Sequence, residues 1–474
     1  MTDIAEPSSS APSSSALQSS EPAPVGPAPA GPRLHYAWVV AGVCLLVLLG
    51  AAGFRSTPSL LMDPLNMQFG WSYGIISLAV SINMVLNGLT APFAAALMDR
   101  FGIRVVVAVA LTVMACGSGL TVFMTQSWEL LLCWGVLVGM GSGAMALAFS
   151  ATVAGRWFFA RRGLVTGVLT AGSAAGNLVF LPVLAWLINL YGWRSASLLV
   201  GGAALAVVPI VLLLLRERPA DLGLLPYGAV SQEQVDRDPA QAVDRGTGLR
   251  ALRVLRQAAR VRPFWLLAAS FAICGATTNG LVGTHFIPAA MDAGMVQTTA
   301  AGLLALVGVF DVVGTVFSGW LTDRLDSRKL LGTYYLLRGA SLMFLPVLFA
   351  RTVHFSMLIF IIFYGLDWVA TVPPTMALCR QWFGKDAPIV FGWVLCGHQV
   401  GAAVVAFLAG VIRDQLGSYN LAWYGAGGLC VIAAGCALML QAKPDGGADA
   451  GAGSLGTGSV GAGPVGAGPV AVTG

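Results

Sequence analysis

Twelve stretches of this chain are long and apolar enough to cross a membrane, and that limits the fold more than any motif does. A spanning helix needs about 20 mainly apolar residues. Residues 36–61, 71–97, 105–124, 130–153, 164–188 and 195–215 meet this in the first half, and 263–287, 299–321, 330–349, 355–378, 389–412 and 421–440 in the second. Lipid offers the backbone no hydrogen bonds, so segments of this kind cross it as helices that satisfy their own. Composition agrees. Of 474 residues, 57% are hydrophobic and 10% are charged, whereas a soluble domain carries about 25% charged residues. Too few charges remain to cover a water-facing surface.

The polar segments divide the chain. Residues 1–33 are rich in Ser, Ala and Pro, a composition that cannot bury a core and is expected to be disordered. They lack the basic start and apolar core of a cleaved signal peptide, so the first span is expected to remain in the mature protein. A six-helix bundle is expected over 34–216, a cytoplasmic linker over 217–262, a second six-helix bundle over 263–441, and a disordered Gly-, Ala- and Val-rich tail over 442–474. The linker closes on Arg250, Arg253, Arg256, Arg260 and Arg262. That run reads as the solvated face of an interfacial helix, or as a face for anionic lipid headgroups.

The bases orient the spans. Arg100, Arg104, Arg156, Arg161, Arg162, Arg324, Arg328, Lys329, Arg380, Lys385 and the linker fall on one side; Arg194, Arg351 and Arg413 fall on the other. The positive-inside rule places the first side, with both termini, in the cytoplasm, and the protein in the plasma (inner) membrane. The net charge of +5 expresses this orientation, not nucleic-acid binding. Eight cysteines are scattered through apolar runs without a C-x-x-C pair, so neither disulfides nor a metal are expected. There is no G-x-S-x-G, no H-E-x-x-H and no phosphate-binding Gly loop followed by Lys, which argues against an enzyme, a cofactor or an ATP-driven pump.

One short loop occurs twice. Met98-Asp99-Arg100-Phe101-Gly102-Ile103-Arg104 links the second and third spans, and Leu321-Thr322-Asp323-Arg324-Leu325-Asp326-Ser327-Arg328-Lys329 links the eighth and ninth. Repetition at half the chain length indicates two copies of one plan. The loop resembles that of the major facilitator superfamily, Gly-x-x-x-Asp-Arg/Lys-x-Gly-Arg/Lys-Arg/Lys. The first copy keeps Asp99, Arg100, Gly102 and Arg104 but has Ala95 for the first Gly. The second keeps Gly319, Asp323, Arg324, Arg328 and Lys329 but has Asp326 for the second Gly. The resemblance implies an all-α membrane fold of twelve transmembrane helices in two pseudo-symmetric six-helix bundles. It also implies that these loops gate the cytoplasmic side, the acid capping a helix N-terminus and contacting bases.

A narrower likeness is to monocarboxylate porters and the oxalate–formate antiporter group. It rests on Tyr36-Ala37-Trp38-Val39-Val40, Gly53-Phe54-Arg55, Phe69-Gly70-Trp71-Ser72, and Asp311 followed by Gly319 and Asp323-Arg324. It implies a secondary transporter of small organic anions, monocarboxylates or related organic acids, by proton symport or anion exchange through alternating access. Its partners are then that substrate, protons as a candidate coupling ion, and membrane lipid.

Charges inside a span need a reason. Arg55, between Gly53 and Pro58, can grip a carboxylate with two hydrogen bonds, and the porters have a basic residue at this place that takes part in substrate and proton coupling. The plain alternative is a side chain that snorkels to the surface. Asp311 lies mid-span. The porters have an acid here and an arginine one turn later, where this chain has Thr315, so Asp311 must pair elsewhere, with Arg55 for instance, or be protonated. Asp367 shares a helical face with Tyr364 and Thr371, and Pro373-Pro374 should break the helix just beyond it; it reads as a gate or as a local cap. Thr278, Asn279 and His285 lie in a polar, Gly-flanked stretch of the seventh span, and His398 in the eleventh. Thr278, Asn279, Tyr364 and His398 are candidate substrate contacts; Asp311, Asp367 and His285 are candidates for proton coupling or gating. Arg338 is assigned to packing, and Asn83, Asn87 and Asn177 to interhelical hydrogen bonds. Two rival functions remain on the residues alone: proton-coupled efflux of drugs or metabolites, and a membrane sensor that moves nothing.

Overall fold

A computed structural model describes residues 35–145, 147–236 and 247–440. The expected tails, 1–33 and 442–474, lie outside the described residues, as do the side chains of Ala95 and Asn177. The chain is helical nearly throughout. Helices α1 (Tyr36–Phe69), α2 (Tyr73–Phe101), α3 (Ile103–Leu120), α4 (Ser127–Trp157), α5 (Arg162–Tyr191) and α6 (Trp193–Leu214) form the first bundle. The second contains α7 (Arg262–Asp292), α8 (Gln297–Thr322), α9 (Ser327–Leu348), α10 (Phe355–Asp367, then Val372–Phe383), α11 (Ala387–Leu416) and α12 (Asn420–Leu438). Among the described residues, 10 segments are long and apolar enough to cross a membrane. One, Phe355–Leu416, has 62 residues and contains two crossings, because the chain turns at Gly384 with φ +53. α5 is 30 residues long and supplies a further crossing that includes the apolar stretch Leu178–Tyr191. Twelve crossings result.

Local chemistry sets the helix ends. The Ser72 hydroxyl accepts from the Ile75 amide at 3.3 Å and starts α2. Pro263 and Pro388 stand in the first turns of α7 and α11, where an amide would have no helical partner. Gly102 turns α2 into α3 at φ +88, a conformation that a β-carbon would strain.

Packing repeats between the bundles. α1 lies on α5, α2 on α4 and α3 on α6; correspondingly, α7 lies on α11, α8 on α10 and α9 on α12. The equivalent pairs α2–α11 and α5–α8 join the two bundles. Small residues make the close crossings: α4 meets α2 along Gly135, Gly139 and Gly143, and a β-carbon on Gly139 would fall 2.8 Å from the Asn83 Cα. Large apolar side chains such as Val109, Leu213, Val316, Phe344 and Val347 face outward, the surface that lipid covers.

The described part of the linker is not solvated throughout. The Tyr227 carbonyl accepts from Phe159 N at 2.9 Å and Ala160 N at 3.0 Å, and Trp38 of α1 packs edge-on against both Phe158 and Tyr227. The helix Thr247–Ala258 buries Ala251, Val254 and Ala258 and lies against α2 and α11. All eight cysteines are free.

Candidate functional site

Three helices lose regularity within their spans. α7 winds into a wider, π-type turn over Ala276–Val282, and α4 does so over Leu131–Val138. Such turns move residues out of helical register and concentrate at functional sites. α10 opens after Asp367, before Pro373-Pro374 and not beyond them. The prolines occupy the first turn of its second piece, where they start a helix more readily than they end one.

These irregular segments surround a cavity of about 150 Å³ between the bundles. Its wall includes Phe54 and Arg55 of α1, Asn83 and Asn87 of α2, Trp134 and Ser142 of α4, Asn279 of α7, Asp311 of α8, Trp368 of α10 and Gln399 of α11. Arg55 lies near the middle of α1 among buried neighbours yet is itself exposed, and the surface it exposes is that of the cavity.

Asp311 shares this cavity and is 7% exposed. Its Oδ1 accepts from the Thr315 hydroxyl at 3.2 Å and from the Val369 amide at 3.1 Å. The residue that stands where the porters have an arginine is therefore a partner of the acid, and the opened backbone of α10 supplies another.

Of the expected substrate contacts, Asn279 reaches the cavity wall. Thr278 is buried, and its hydroxyl donates to the Cys274 carbonyl at 2.7 Å. Tyr364 is buried and donates to the Thr277 carbonyl at 2.8 Å, which braces the π-type turn from behind. The His398 ring packs at a tilt against Phe271, and its Nδ1 lies 3.3 Å from Gln399 Oε1. His285 is fully buried between the Ala406 carbonyl (2.8 Å) and the Tyr419 hydroxyl (3.3 Å).

Asp367 lies behind the cavity wall and pairs with Arg338. Assigning Arg338 to packing missed this. A guanidinium at 0% exposure must place its donors, and it does so on Asp367 Oδ2 (2.5 Å), the Asp367 carbonyl (2.5 Å), the Trp368 carbonyl (3.3 Å) and Cys274 Sγ (3.0 Å). The sequence signal was the intramembrane arginine itself.

The loop copies differ in their chemistry. Asp99 forms an ion pair with Arg156 of α4. The start of α3 is capped by Glu217, which sequence reading did not single out: its carboxylate accepts from Ile103 N at 2.6 Å and Arg104 N at 3.0 Å, with Arg156 3.7 Å away. In the second copy Asp326 caps α9 itself, accepting from Arg328 N at 2.9 Å and pairing with the Arg328 side chain. Those hydrogen bonds hold the Asp326 carboxyl below the ordinary range. Arg324 folds over the Trp320 ring at 4.0 Å, Arg100 lies 5.2 Å from the Phe101 ring, and Asp323 ends α8 two residues beyond Leu321, after Gly319.

At the other end of the molecule the bundles are tied directly. Asp414 of α11 accepts from the Tyr73 and Gly74 amides of α2 at 2.9 and 2.7 Å, and Gln297 of α8 donates to the Leu60 carbonyl of α1 at 2.9 Å. Beside them, Arg413 holds Asp292 at 2.6 and 2.8 Å, and the Tyr73 hydroxyl donates to Asp63 at 2.5 Å. The only sequence cue was the acid next to Arg413.

The cavity wall thus combines an arginine, several carboxamides, two indoles and a carboxyl group. It suits a small anion with an apolar part. No group of His, Cys, Asp and Glu among the described residues is arranged to hold a metal ion.

A family model described as Major Facilitator Superfamily matches residues 43–370 and 286–469. The chain is 24% identical over 412 residues to the uncharacterized MFS-type transporter YcxA of Bacillus subtilis, covering 86% of this chain and 95% of the relative. It is 28% identical over 376 residues to monocarboxylate transporter 13 of Bos taurus (77% and 80%) and 25% identical over 414 residues to monocarboxylate transporter 12-B of Danio rerio (83% and 84%). Among solved structures, it superposes on the inward-open xylose transporter XylE from E. coli with TM-score 0.64 at 14% identity, covering 86% of this chain and 98% of that one. A bacterial homolog to the human lysosomal transporter Spinster, inward-facing and occupied, gives TM-score 0.64 at 16% identity (86% and 97%).

Proposed function

The chain belongs to the major facilitator superfamily of membrane transporters, and from that premise we propose that it carries small organic anions, monocarboxylates or related organic acids, by proton symport or anion exchange. The observation that supports this most is Arg55, a guanidinium in mid-span whose exposed surface faces the cavity between the bundles. A bidentate grip on a carboxylate suits that position, and relatives named monocarboxylate transporters point the same way.

In this reading Arg55 holds the carboxylate, Asn279 contacts the substrate, and Thr278, Tyr364 and His398 shape the wall from behind. Asp311 carries the proton, while Asp367 and His285 hold the moving helices. The first bundle is 34–216, the linker 217–262 and the second bundle 263–441. The Asp99 end, with both termini, faces the cytoplasm across the plasma membrane, as the distribution of bases supports. Sliding at α2–α11 and α5–α8 opens one end as it closes the other. Asp99, Arg100, Gly102 and Arg104, with Gly319, Asp323, Arg324 and Arg328, gate the cytoplasmic end.

Uptake into proteoliposomes tests the reading, with lactate, pyruvate, benzoate and oxalate as substrates and with or without an imposed pH gradient. Stimulation by an alkaline interior identifies symport. Uptake that needs internal anion and ignores the gradient identifies exchange. Organic-acid uptake that survives Arg55→Ala removes the assignment of the carboxylate site.

A further inference from the structure

Titratable side chains of both bundles meet at the end opposite the Asp99 loop, which is the outer end in the orientation proposed above. Asp63 stands about two turns before the end of α1 and is 8% exposed. The Tyr73 hydroxyl of α2 donates to its Oδ1 at 2.5 Å, and its Oδ2 is buried with no hydrogen-bond partner among the described residues. The second bundle closes over it. Asp292 of α7 and Arg413 of α11 act on Asp63 and Tyr73 electrostatically, as Asp63 does on Tyr419, the residue before α12. α11 approaches α2 so closely that a β-carbon on Gly410 would fall 2.7 Å from the Tyr73 carbonyl oxygen.

A carboxylate buried in such a place needs a base, and the bases nearby are turned elsewhere. Arg413 holds Asp292 through hydrogen bonds of 2.6 and 2.8 Å, so those two charges balance each other, and its guanidinium lies 5.3 Å from the centre of the Tyr73 ring. His285 of α7 brings no charge: Nε2 meets the Ala406 carbonyl and Nδ1 the Tyr419 hydroxyl, partners that the neutral ring satisfies. Asp414 is held by the Tyr73 and Gly74 amides. On the first bundle, Arg194 of α6 turns to Gln68 and the Val122 carbonyl, and Tyr191 of α5 is exposed. Arg351, before α10, lies against Gly294 beyond the end of α7. The neutral acid is the form that fits, because an unpaired hydroxyl costs less in that setting than an unpaired charge. With the bundles apart at this end, water replaces the second bundle and solvates the carboxylate.

We propose that Asp63 binds a proton from the outer side as the bundles shut there, so that acid outside favours the shut arrangement. Asp63 meets water when that end is open, and its proton enters and leaves by that side. The proton therefore sets the balance of conformers and is not carried across, which separates it from the proton assigned to Asp311. The inference rests on the reading that the bundles open and shut at this end, and it holds for any cargo.

Spin-label distances in the full chain, in lipid nanodiscs without substrate, test it. Phe123 and Phe355 are exposed at this end, on the first and second bundles. Labels at Phe123→Cys and Phe355→Cys, with the exposed Cys116 replaced by Ser, report whether the end is shut. Between about pH 9 and about pH 5 the ratio of shut to open in the otherwise wild-type chain should rise as the pH falls, by up to about tenfold per pH unit, the limit for one linked proton. Asp63→Asn should stay shut across the range. Tyr73→Phe takes a donor from the carboxylate and leaves the acid, so the response should remain and move to higher pH. That variant decides the matter if Asp63→Asn does not fold. Two populations whose ratio ignores pH overturn the proposal, as does a response that survives in Asp63→Asn or keeps its midpoint in Tyr73→Phe. One unchanging distance in wild type, Asp63→Asn and Asp414→Ala alike means that this end does not open, and removes the underlying reading as well. Substrate is absent throughout, so failure of the Arg55 site in uptake leaves these outcomes as they are.

Discussion

Arg338 of α9 and Asp367 of α10 are joined twice, Nε to Oδ2 at 2.5 Å and Nη2 to the Asp367 carbonyl at 2.5 Å. Arg338 is fully buried and Asp367 is 6% exposed. The second contact places the guanidinium where the α10 helix opens and its carbonyls lose their helical donors. A third, from Nη1 to Cys274 Sγ at 3.0 Å, reaches α7 just before its π-type turn. One side chain thus holds two irregular segments of the cavity wall.

Removing one partner of a buried pair leaves an uncompensated charge and costs about 3–5 kcal/mol. Arg338→Met and Asp367→Leu should each abolish monodisperse protein or lower its Tm steeply in detergent. The double variant Arg338→Met/Asp367→Leu removes both charges and should recover most of the loss. A double variant as unstable as its parents would mean that neutralisation is not what the pair provides.

Why some of this was legible and some was not follows from range. Span length and the repeated loop are local properties, so the two bundles and their pseudo-symmetry could be read directly. Arg55 and Asp311 were also visible, because a charge among apolar neighbours stands out. Partners were not. Glu217 caps α3 from 113 residues away, and Asp414 reaches α2 from 340 residues away. Thr315 looked like the loss of a partner, but a hydroxyl one turn along the helix is itself a donor. Arg338 was assigned to packing, although a buried guanidinium must still find acceptors.

The first loop depends on two residues together. Glu217→Ala exposes the α3 N-terminus and should cost about 1–2 kcal/mol, the usual value of a lost cap at a positive helix end. Gly102→Ala should cost more in the wild-type background. Its φ is +88, and the new β-carbon would sit 2.6 Å from Glu217 Oε1. In the Glu217→Ala background only the backbone strain remains, so the two effects should be less than additive in Tm. Full additivity would separate Gly102 from the cap.

Asp326 makes a pH prediction. The hydrogen bonds from Arg328 lower its carboxyl pKa in the folded protein. A depressed acid contributes stability above its unfolded value and loses it as the pH falls through the folded value. Asp326→Asn should therefore lower Tm at pH 7, and the gap to wild type should close as the pH falls below the ordinary carboxylate range and through the depressed folded value. A gap that persists in acid would assign the effect to helix capping by the amide shape, not to charge.

The Asp414 carboxylate is a closing contact between bundles. Two charge-assisted hydrogen bonds to the α2 amides favour the arrangement in which that end is shut. Asp414→Ala should shift the population toward opening there, by more than tenfold if each bond contributes about 1.5 kcal/mol. Met67 and Val296 are exposed at this end, on the first and second bundles. Spin labels at Met67→Cys and Val296→Cys, with the exposed Cys116 replaced by Ser, should report longer distances in Asp414→Ala. An unchanged distance distribution would show that closure rests on other contacts.

Asp311 carries the remaining prediction. An asparagine there keeps an oxygen able to accept from Thr315 and the Val369 amide, so the opened stretch of α10 stays held. It cannot take up and release a proton at a working pH. If Asp311 is the coupling group, Asp311→Asn should lose uptake driven by an alkaline interior yet retain exchange of labelled for unlabelled anion, which needs no net proton movement. Thr315→Val removes one neutral hydrogen bond and leaves the acid, so it should weaken driven uptake only in part. These outcomes differ from those of Arg55→Ala, which should lose driven uptake and exchange together because substrate no longer binds. Gradient-driven uptake that survives in Asp311→Asn would move the coupling to another group. Asp367 is the next acid to test, since its Oδ1 has no hydrogen-bond partner among the described residues.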